Sequence, residues 1–346
     1  MNEFKVNCGP LVRRMADIEP ESILWLWPGR IPRGKLTVLA GNPGLGKSFL
    51  TIDLAARVSR SMPWPDCRGS APLGSAVLLS AEDDPADTIR PRLDAAGADV
   101  SRVYVVEGVQ RTDDKGEYIT GLELDRDLQH LESAIEEAGD CRLVVIDPIS
   151  AYLGGVDSHR DAAVRSVLKP LADLAARHGV AVVMVAHLRK GDGEAVQRTM
   201  GSLGFVAAAR SAWSFSEDRE DKGRVLMTPI KLNLAARAKG LAYRMVPVGE
   251  TAVLAWEPDE LDMTAEEAIG RDQKARGEKG KAVRWLRGVL ADGAVEAKEL
   301  QEQAESDGYS WTTIVRAKKG AGVESVKSGF QGRSCWSLAP KNVTAA

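Results

Sequence analysis

The sequence predicts an α/β fold with a mostly parallel central sheet, followed by a small helical module. Up to residue 256, apolar segments of strand length alternate with amphipathic segments of helix length, which is the pattern of parallel α/β folds. A glycine-rich G-x4-G-K-S segment stands between the first of these strands and the first helix. After residue 256 this alternation stops and a mainly helical pattern follows. These observations divide the chain into an α/β body and a C-terminal module.

Strands and helices alternate along most of the body. The predicted strands cover residues 36–40, 76–80, 103–107, 143–146, 180–186 and 211–215, and the predicted helices cover residues 47–60, 84–96, 125–138 and 161–178. Three further strands, at residues 225–230, 242–246 and 252–256, follow one another too closely for helical crossovers. They predict an antiparallel extension of the same sheet.

The C-terminal module is predicted to be a winged helix-turn-helix domain over residues 281–340. Helices are expected at residues 281–290, 297–306 and 310–319, and two extended segments at residues 324–327 and 334–338. Glycines and Arg333 separate the two extended segments, as in a hairpin. Residues 257–280 are polar, charged and without strand pattern, so we interpret them as a linker, or a short exposed helix, after a body at residues 1–256.

Length, composition and the cysteine pattern exclude several classes of protein. At 346 residues, with 44% hydrophobic and 27% charged residues, the chain is long enough for two globular domains. Its four cysteines are scattered, which is evidence against a zinc ribbon or a disulfide framework. No apolar run approaches the roughly 18 residues that a membrane helix needs, and no secretory signal is visible. We expect a cytoplasmic protein without a membrane partner.

Charge is distributed unevenly between the body and the C-terminus. Residues 271–346 carry 14 basic and 9 acidic side chains, whereas the first 270 residues carry 32 basic and 40 acidic ones. The net charge of −3 therefore conceals an acidic body and a basic tail. A basic tail points to nucleic acid contacts, although a merely solvated tail has the same composition.

The glycine-rich segment predicts a phosphate-binding loop, or P-loop. It comprises Gly41, Asn42, Pro43, Gly44, Leu45, Gly46, Lys47 and Ser48, and Phe49 follows in the helix. The glycines let backbone N–H groups approach phosphates closely, and the dipole at the helix N-terminus favours the same negative charge. Lys47 is expected to reach the β- and γ-phosphates, and the Ser48 hydroxyl to bind Mg²⁺. The segment therefore predicts ATP and Mg²⁺ as ligands.

Asp147 is the predicted second metal residue. It follows four apolar residues at the end of a buried strand, where open sheets bind their ligands, and is expected to hold Mg²⁺ through water. The alternative is an aspartate that caps the turn ahead of Pro148.

Glu82 is the candidate general base. Many P-loop ATPases place a glutamate directly after the metal-binding aspartate, but Pro148 occupies that position here and cannot activate water. Glu82 lies in an acidic cluster after the strand at residues 76–80 and is expected to polarise the attacking water. The competing interpretation is that the acidic residues cap the next helix, a role we expect for Asp83 and Asp84.

Four segments resemble those of RecA-like ATPases of the RepA type. They run from Trp25 to Gly34, from Ser80 to Asp84, from Val145 to Pro148 and from Ala186 to Lys190. That family includes plasmid-encoded hexameric replicative helicases, with more distant relatives among DnaB-type helicases and KaiC-like proteins. The resemblance covers about residues 20–256. It implies a RecA-like P-loop NTPase core, and it also implies Glu82 as the catalytic glutamate.

The resemblance implies further residues around the γ-phosphate. His187 falls at the position of the phosphate sensor, although by itself it reads as a core histidine with satisfied hydrogen bonds. Arg210 ends a stretch that in this family carries the arginine finger, which enters the site of the neighbouring subunit. A solvated or structurally paired arginine is the alternative. Lys231 resembles the trans lysine of DnaB-type relatives, but Asn233 stands where a second basic residue is expected.

A homo-oligomer, specifically a hexameric ring with single-stranded DNA at its centre, is also implied. Flexible segments at residues 154–160 and 189–198 are the expected DNA contacts, because both contain glycine and basic residues suited to phosphate contact. Neither contains an aromatic residue that would stack on a base.

The last helix of the C-terminal module is the expected recognition helix. Its exposed face would carry Thr312, Arg316 and Lys319, with Lys327 and Arg333 in the wing, while Trp311, Ile314 and Val315 face the core. Contact with duplex DNA is the predicted use of this face, and docking of a protein is the alternative.

The sequence therefore predicts an ATP-hydrolysing, ring-forming DNA motor that resembles replicative helicases of plasmids, phages or similar elements. A primase or an initiator is a further expected partner. One alternative is a RecA-like recombination or repair ATPase that forms filaments. Another is a nucleotide-gated DNA-binding regulator whose winged helix binds an origin or operator.

Overall fold

The computed structural model describes residues 12–114, 116–156, 160–187, 203–218, 220–234, 238–291, 293–327 and 334–338. The strands of the body are β1 (Trp25–Trp27), β2 (Ile31–Pro32), β3 (Leu36–Gly41), β4 (Ser75–Ser80), β5 (Val103–Val105), β6 (Val109–Asp113), β7 (Gly116–Thr120), β8 (Cys141–Asp147), β9 (Ala181–His187), β10 (Ser211–Glu217), β11 (Arg224–Leu232), β12 (Leu241–Val248) and β13 (Thr251–Trp256). Its helices are α1 (Lys47–Arg60), α2 (Arg90–Ala95), α3 (Leu128–Glu137), α4 (Asp161–His178) and α5 (Leu203–Ala208).

Within the described residues, nine strands form one central sheet in the order β13-β12-β11-β10-β3-β9-β8-β4-β5. All neighbouring pairs from β10 to β5 are parallel. The pairs from β10 to β13 are antiparallel. The predicted α/β fold with a mostly parallel sheet and an antiparallel extension is therefore confirmed.

Two apolar cores lie on the two faces of this sheet. On β9, Val182 and Met184 belong to the core that contains α3 and α4 residues, whereas Val183 and Val185 belong to the core that contains α1 residues. Successive side chains of a strand point to opposite faces, so a strand covered on both sides is apolar at every position. Because β3, β9, β8 and β4 pair in parallel, their carboxyl ends lie at one edge of the sheet.

One predicted helix of the body has a different form in the structure, and one hairpin of the body was not predicted. The helix predicted at residues 84–96 is a π-helical turn, Pro85–Ile89, followed by α2. Pro91 has no N–H to continue an α-helical hydrogen-bond ladder from the preceding turn. The β6–β7 hairpin was not predicted, because most of its residues are exposed and it lacks the alternation of a half-buried strand.

A buried arginine ties the N-terminal hairpin to the body. Arg30 lies between β1 and β2, is fully buried, and donates hydrogen bonds to Asp66 at 2.9 Å and to Glu260 at 3.0 Å. Its guanidinium carbon also lies 5.2 Å from the ring centroid of Trp213 on β10. The run that starts at Trp25 is therefore a structural anchor in this chain.

One long helix replaces the predicted linker and first C-terminal helix. Helix α6 (Ala265–Val289) begins at a capping box between Thr264 and Glu267 and runs through residues 265–280, which we had interpreted as a linker or a short exposed helix. Alanine, glutamate, lysine and arginine favour a helix even where no apolar stripe marks it. Ala268 packs against Leu226 and Ala242 of the body.

The C-terminal module has its own apolar core. After α6 it contains β14 (Val295–Glu296), α7 (Ala297–Ser306), α8 (Trp311–Ala321), β15 (Val323–Lys327) and β16 (Ser334–Leu338), with the described strands in the order β14-β16-β15. Leu286, Leu300, Ile314 and Trp336 are all buried in this core. The helices predicted at 297–306 and 310–319 and both extended segments are present, and β14 adds a short third strand.

The position of Val315 in this module differs from the sequence prediction. We expected it to face the core with Ile314, but its side chain is 45% exposed while Ile314 is fully buried. Neighbouring residues of a helix are about 100° apart, so both cannot share the centre of one buried face. Trp311 does pack inward, with its ring stacked 5.1 Å from that of Trp336.

None of the helices in the described parts of the chain combines the length and the apolar character needed to cross a bilayer.

Candidate functional site

The glycine-rich loop connects β3 to α1, as the sequence predicts. Gly44 and Gly46 adopt φ values of 81° and 75°, in the left-handed region that favours glycine. Gly41 ends β3 against Phe215, where a Cβ atom would lie 2.8 Å from the Phe215 Cβ. The loop therefore needs glycine at two of these positions for its turn and at a third for packing.

Strand β12 supports the back of the loop. Tyr243 Oη donates a hydrogen bond of 2.6 Å to the carbonyl oxygen of Leu45, and burial raises the pKa of this phenol. Met245 lies beside Gly46, where a Cβ atom would be 2.9 Å from the Met245 sulfur. Tyr243 and Met245 lie about 200 residues from the loop in sequence, and no local sequence pattern predicts their contact with it.

Lys47 lies at the centre of the site. It is 3% exposed, and its Nζ donates hydrogen bonds to the carbonyl oxygens of Gly41 at 2.9 Å and Asn42 at 2.8 Å. Burial lowers the pKa of Lys47 to about 8, while the negative charges of Asp147 and Glu82 act in the opposite direction. The ammonium group is thus held inside the loop and close to both carboxylates.

Asp147 ends β8 next to the start of α1. Burial raises the pKa of Asp147, and a hydrogen bond from Ser48 together with the charge of Lys47 opposes this shift. A hydroxyl and a carboxylate side by side are hard oxygen ligands of the kind that Mg²⁺ prefers. The residues present therefore fit a magnesium ion beside a phosphate-binding loop.

Glu82 follows β4 at the same edge. The backbone N–H of Ala81 donates to the carbonyl oxygen of Asp147 at 3.0 Å, which holds the start of this segment beside β8. Glu82 is exposed, and its charge acts to raise the pKa values of Lys47, Asp147 and His187. The structure therefore places the Glu82 carboxylate within electrostatic reach of the other candidate residues.

The two neighbouring aspartates have different contacts. Asp84 caps the π-helical turn, accepting hydrogen bonds from the N–H groups of Ala86 at 2.7 Å and Asp87 at 3.2 Å. Asp83 was expected to cap as well, but its carboxylate instead accepts a hydrogen bond of 2.6 Å from Arg92. Asp84 alone stands at the N-cap position of the turn, and Asp83, one residue earlier, pairs with Arg92 instead.

His187 ends β9 beside the P-loop. It is the register partner of Gly41, and burial together with the charge of Lys47 lowers its pKa, which favours the neutral imidazole at neutral pH. Its buried Nδ1 has no hydrogen-bond partner within the described residues. The interpretation as a core histidine with satisfied hydrogen bonds therefore finds no support in these contacts.

Arg210 lies at the opposite end of the parallel strands from the P-loop, at the edge of the sheet where those strands begin. It precedes β10, and the next residue, Ser211, pairs with Thr37 near the start of β3. At about 3.3 Å per residue, Arg210 is roughly 15 Å from Gly41 along the strand direction. Its side chain is exposed, while its backbone N–H bonds to the carbonyl oxygen of Leu36 at 3.0 Å. Arg210 therefore stands apart from the P-loop of its own chain.

Lys231 lies on the same far edge and is engaged within its own chain. Its Nζ donates to the carbonyl oxygens of Val206 at 3.0 Å and Ala207 at 2.9 Å, at the C-terminal end of α5. Burial lowers the pKa of Lys231, and the charges of Arg210 and Arg165 lower it further. Lys231 thus caps a helix inside a patch of positive charge.

The segments expected to contact DNA are described only in part. Residues 189–198, 157–159 and 333 lie outside the described residues, as do the side chains of Lys319 and Lys327. At the start of the segment 154–160, a Cβ atom at Gly154 would lie 2.8 Å from Glu123 Oε2 and 2.9 Å from Asp125 Oδ1. These carboxylates oppose phosphate contact at that point. On α8, Thr312 and Arg316 are exposed.

Two residues of this region were missed by the sequence analysis. Arg92 joins Asp83 to α1, and Tyr243 holds the carbonyl of Leu45. Arginines and tyrosines at such positions have no spacing that distinguishes them from surface or core residues, so sequence patterns offered no signal for either.

The comparison with protein families agrees with this geometry. A family model described as an AAA domain matches residues 8–193, just over half of the chain. The matched range includes the P-loop, Glu82, Asp147 and His187, and it ends before Arg210. No curated protein matches the chain.

Proposed function

Because the chain belongs to the AAA domain family of P-loop ATPases, we propose that it is a ring-forming ATPase motor on DNA, similar to the RepA-type hexameric replicative helicases. The observation that carries this proposal is the separation of two sets of residues. Candidate catalytic residues gather at one edge of the sheet, and the exposed Arg210 lies at the other. Such a division suits a site that is completed by a neighbouring subunit.

At the first edge, the position of each residue suits its proposed role. Lys47 and the loop backbone bind the phosphates, and Ser48 and Asp147 hold Mg²⁺, which when bound neutralises charge on the phosphate oxygens. Glu82, exposed and near Lys47, takes a proton from the attacking water. The neutral imidazole of His187, whose Nδ1 has no partner among the described residues, contacts the γ-phosphate as a sensor.

At the second edge, Arg210 acts in trans. An arginine about 15 Å from its own P-loop along a strand does not reach a phosphate bound there, but it is available to the site of another copy. Closed rings of identical subunits use such head-to-tail interfaces, and a hexamer is the proposed size. A filament of the recombination type uses the same kind of interface without closure.

The C-terminal module supports DNA as the partner. Its order of one helix, a short strand, two helices and a strand pair resembles that of a winged helix, and the tail is basic. Arg316 on α8 is exposed and available to a phosphate. A nucleotide-gated regulator that reads duplex DNA through α8 is the second candidate.

We expect single-stranded DNA to stimulate ATP hydrolysis by a species of about six subunits. The test measures phosphate release with single-stranded DNA, with duplex DNA and with neither, and molar mass by light scattering with and without an ATP analogue. Stimulation by duplex DNA alone would favour the regulator, and a molar mass that grows with concentration without limit would favour a filament.

We expect deletion of residues 281–346 to leave a folded ATPase with weakened binding to duplex DNA. The core of the C-terminal module contains Leu286, Leu300 and Trp336, whereas α6 touches the body through Ala268, so the body keeps its own packing. Circular dichroism and ATPase assays check the fold, and fluorescence anisotropy at fixed salt checks DNA affinity.

Two point variants test the same proposed DNA contact at single residues. Arg316→Gln removes a charge from the proposed recognition face, and Lys298→Gln removes an exposed charge from α7 as the matched control. Loss of duplex affinity in the first variant only is the expected result. Full duplex affinity of the truncated protein would contradict DNA reading and leave protein docking as the use of this module.

A further inference from the structure

Arg92 on α2 connects two parts of the candidate site that are distant in sequence. Its Nη1 donates to Asp83 Oδ2 at 2.6 Å, and its guanidinium carbon lies 4.4 Å from the ring centroid of Phe49 in the first turn of α1. A guanidinium group can donate from its edge to a carboxylate while its face packs on an aromatic ring. The Arg92 side chain is 18% exposed and that of Asp83 25%, so solvent screens this ion pair only in part.

The residues on both sides of Glu82 are held, whereas the Glu82 side chain is not. The N–H of Ala81 donates to the carbonyl oxygen of Asp147 at 3.0 Å, and the N–H of Asp83 donates to Ser80 Oγ at 3.3 Å. In the described part of the chain, the structure gives the Glu82 carboxylate no hydrogen bond and no ion pair. The direction in which Glu82 extends is therefore set by the backbone on either side of it.

We propose that Arg92 is a positioning residue for Glu82, a role that rests on the proposed function in which Glu82 activates water. By pairing with Asp83 while it stacks on Phe49, Arg92 fixes the segment that follows β4 relative to the first turn of α1. That turn carries Lys47 and Ser48, so the ion pair sets the distance between the base and the phosphate-binding residues. A base acts only within hydrogen-bond reach of its water, and misplacement by about 1 Å can lower a rate by about 10²-fold.

A matched control lies on the same helix. Arg90 pairs with Asp94 at 3.0 Å, and the two side chains are 58% and 53% exposed. Among the described residues, no side-chain hydrogen bond or ion pair joins either of them to the candidate site. Exposed pairs of this kind contribute little to stability. Arg90→Ala therefore removes an arginine and an ion pair from α2 without disturbing the Asp83 segment.

The experiment compares Arg92→Ala, Asp83→Asn and Arg90→Ala for kcat, KM and affinity for a fluorescent ATP analogue. We expect the first two to lower kcat by about 10-fold to 10²-fold, with ATP affinity and KM within about twofold of wild type. Arg90→Ala should match wild type in both. Arg92→Lys keeps the charge but not the planar stacking, and it should retain an intermediate kcat and a wild-type melting temperature.

The decisive measurement repeats Arg92→Ala in a Glu82→Gln background. If Arg92 acts through Glu82, the double variant should be no slower than Glu82→Gln alone, because no base remains to be positioned. A multiplicative further loss in the double variant, or an unchanged kcat in both Arg92→Ala and Asp83→Asn, would overturn the positioning role and leave the proposed ATPase function intact. Near-normal hydrolysis by Glu82→Gln would overturn the role of Glu82 as the base and, with it, the positioning role of Arg92, while ATP hydrolysis itself would stand. If Arg92→Ala does not fold, Asp83→Asn in the same background gives the same answer.

Discussion

Glu82→Gln should bind ATP with wild-type affinity and hydrolyse it at least about 10²-fold more slowly, the usual scale for loss of a general base. Glutamine keeps the size of the side chain and can still accept a hydrogen bond, but it does not take a proton from water at neutral pH. Binding should survive because the phosphate contacts come from the P-loop and Lys47. Steady-state phosphate release and equilibrium binding of a fluorescent ATP analogue measure the two effects separately.

The neighbouring aspartates supply controls for this variant. Asp84→Asn should leave the rate unchanged, since asparagine caps a helical turn as well as aspartate does. The Asp83 carboxylate is paired with Arg92, so Asp83 is a poor substitute for Glu82 as the base. Asp83→Asn should still slow turnover indirectly, because it removes that pair. Near-normal hydrolysis by Glu82→Gln would instead move the role of base to one of these aspartates.

Local signals in the sequence were sufficient for the centre of the site. The helix predicted at residues 47–60 has the same bounds in the structure, because the glycine turn, the apolar periodicity and the end at Ser61 all act within a few residues. Asp147 was located by a topological rule: parallel strands bring their carboxyl ends to one edge of a sheet. Glu82 reached the same edge for the same reason. His187 was located by the family resemblance, and it lies at the same edge.

Contacts between distant segments were beyond the reach of sequence patterns. The hydrogen bond from Tyr243 to Leu45 joins positions 198 residues apart, and the stacking of Arg92 on Phe49 joins two helices. Each depends on how elements pack rather than on spacing within one element. The full length of α6 was not predicted for another reason: residues 257–280 were interpreted as a linker or a short exposed helix, because their sequence is polar and charged like that of a linker.

The largest effect is expected for Arg210→Ala. Arginine fingers contribute about 10³–10⁵ in rate, so the variant should bind nucleotide normally and be nearly inactive. The fold should persist, since the Arg210 side chain is exposed and its described structural contacts come from backbone atoms. Arg165→Ala removes a nearby charge of the same patch and serves as the comparison. Equal losses in both variants would assign the effect to the whole patch of positive charge around Lys231 and not to Arg210 itself.

Mixing two inactive variants tests whether the site is shared between chains. The Lys47→Ala variant has an inactive P-loop but keeps Arg210. The Arg210→Ala variant keeps Lys47 but lacks the arginine. In a ring assembled at random from equal amounts, about one interface in four joins an intact Lys47 to an intact Arg210 across a head-to-tail contact. Partial recovery of activity, up to about that fraction if the sites work independently, is the expected result.

Failure of this rescue has a definite meaning once subunit exchange is shown by mass or fluorescence. Arg210 would then act within its own chain or only in folding, yet its position at the far end of β10 keeps it from its own P-loop, so a folding role would be the remaining account. A wild-type protein that is fully active and monomeric at every nucleotide state would refute the ring itself. The γ-phosphate charge would then have to be neutralised by Lys47 and Mg²⁺ alone. The proposed function as a ring-forming motor would lose its structural basis.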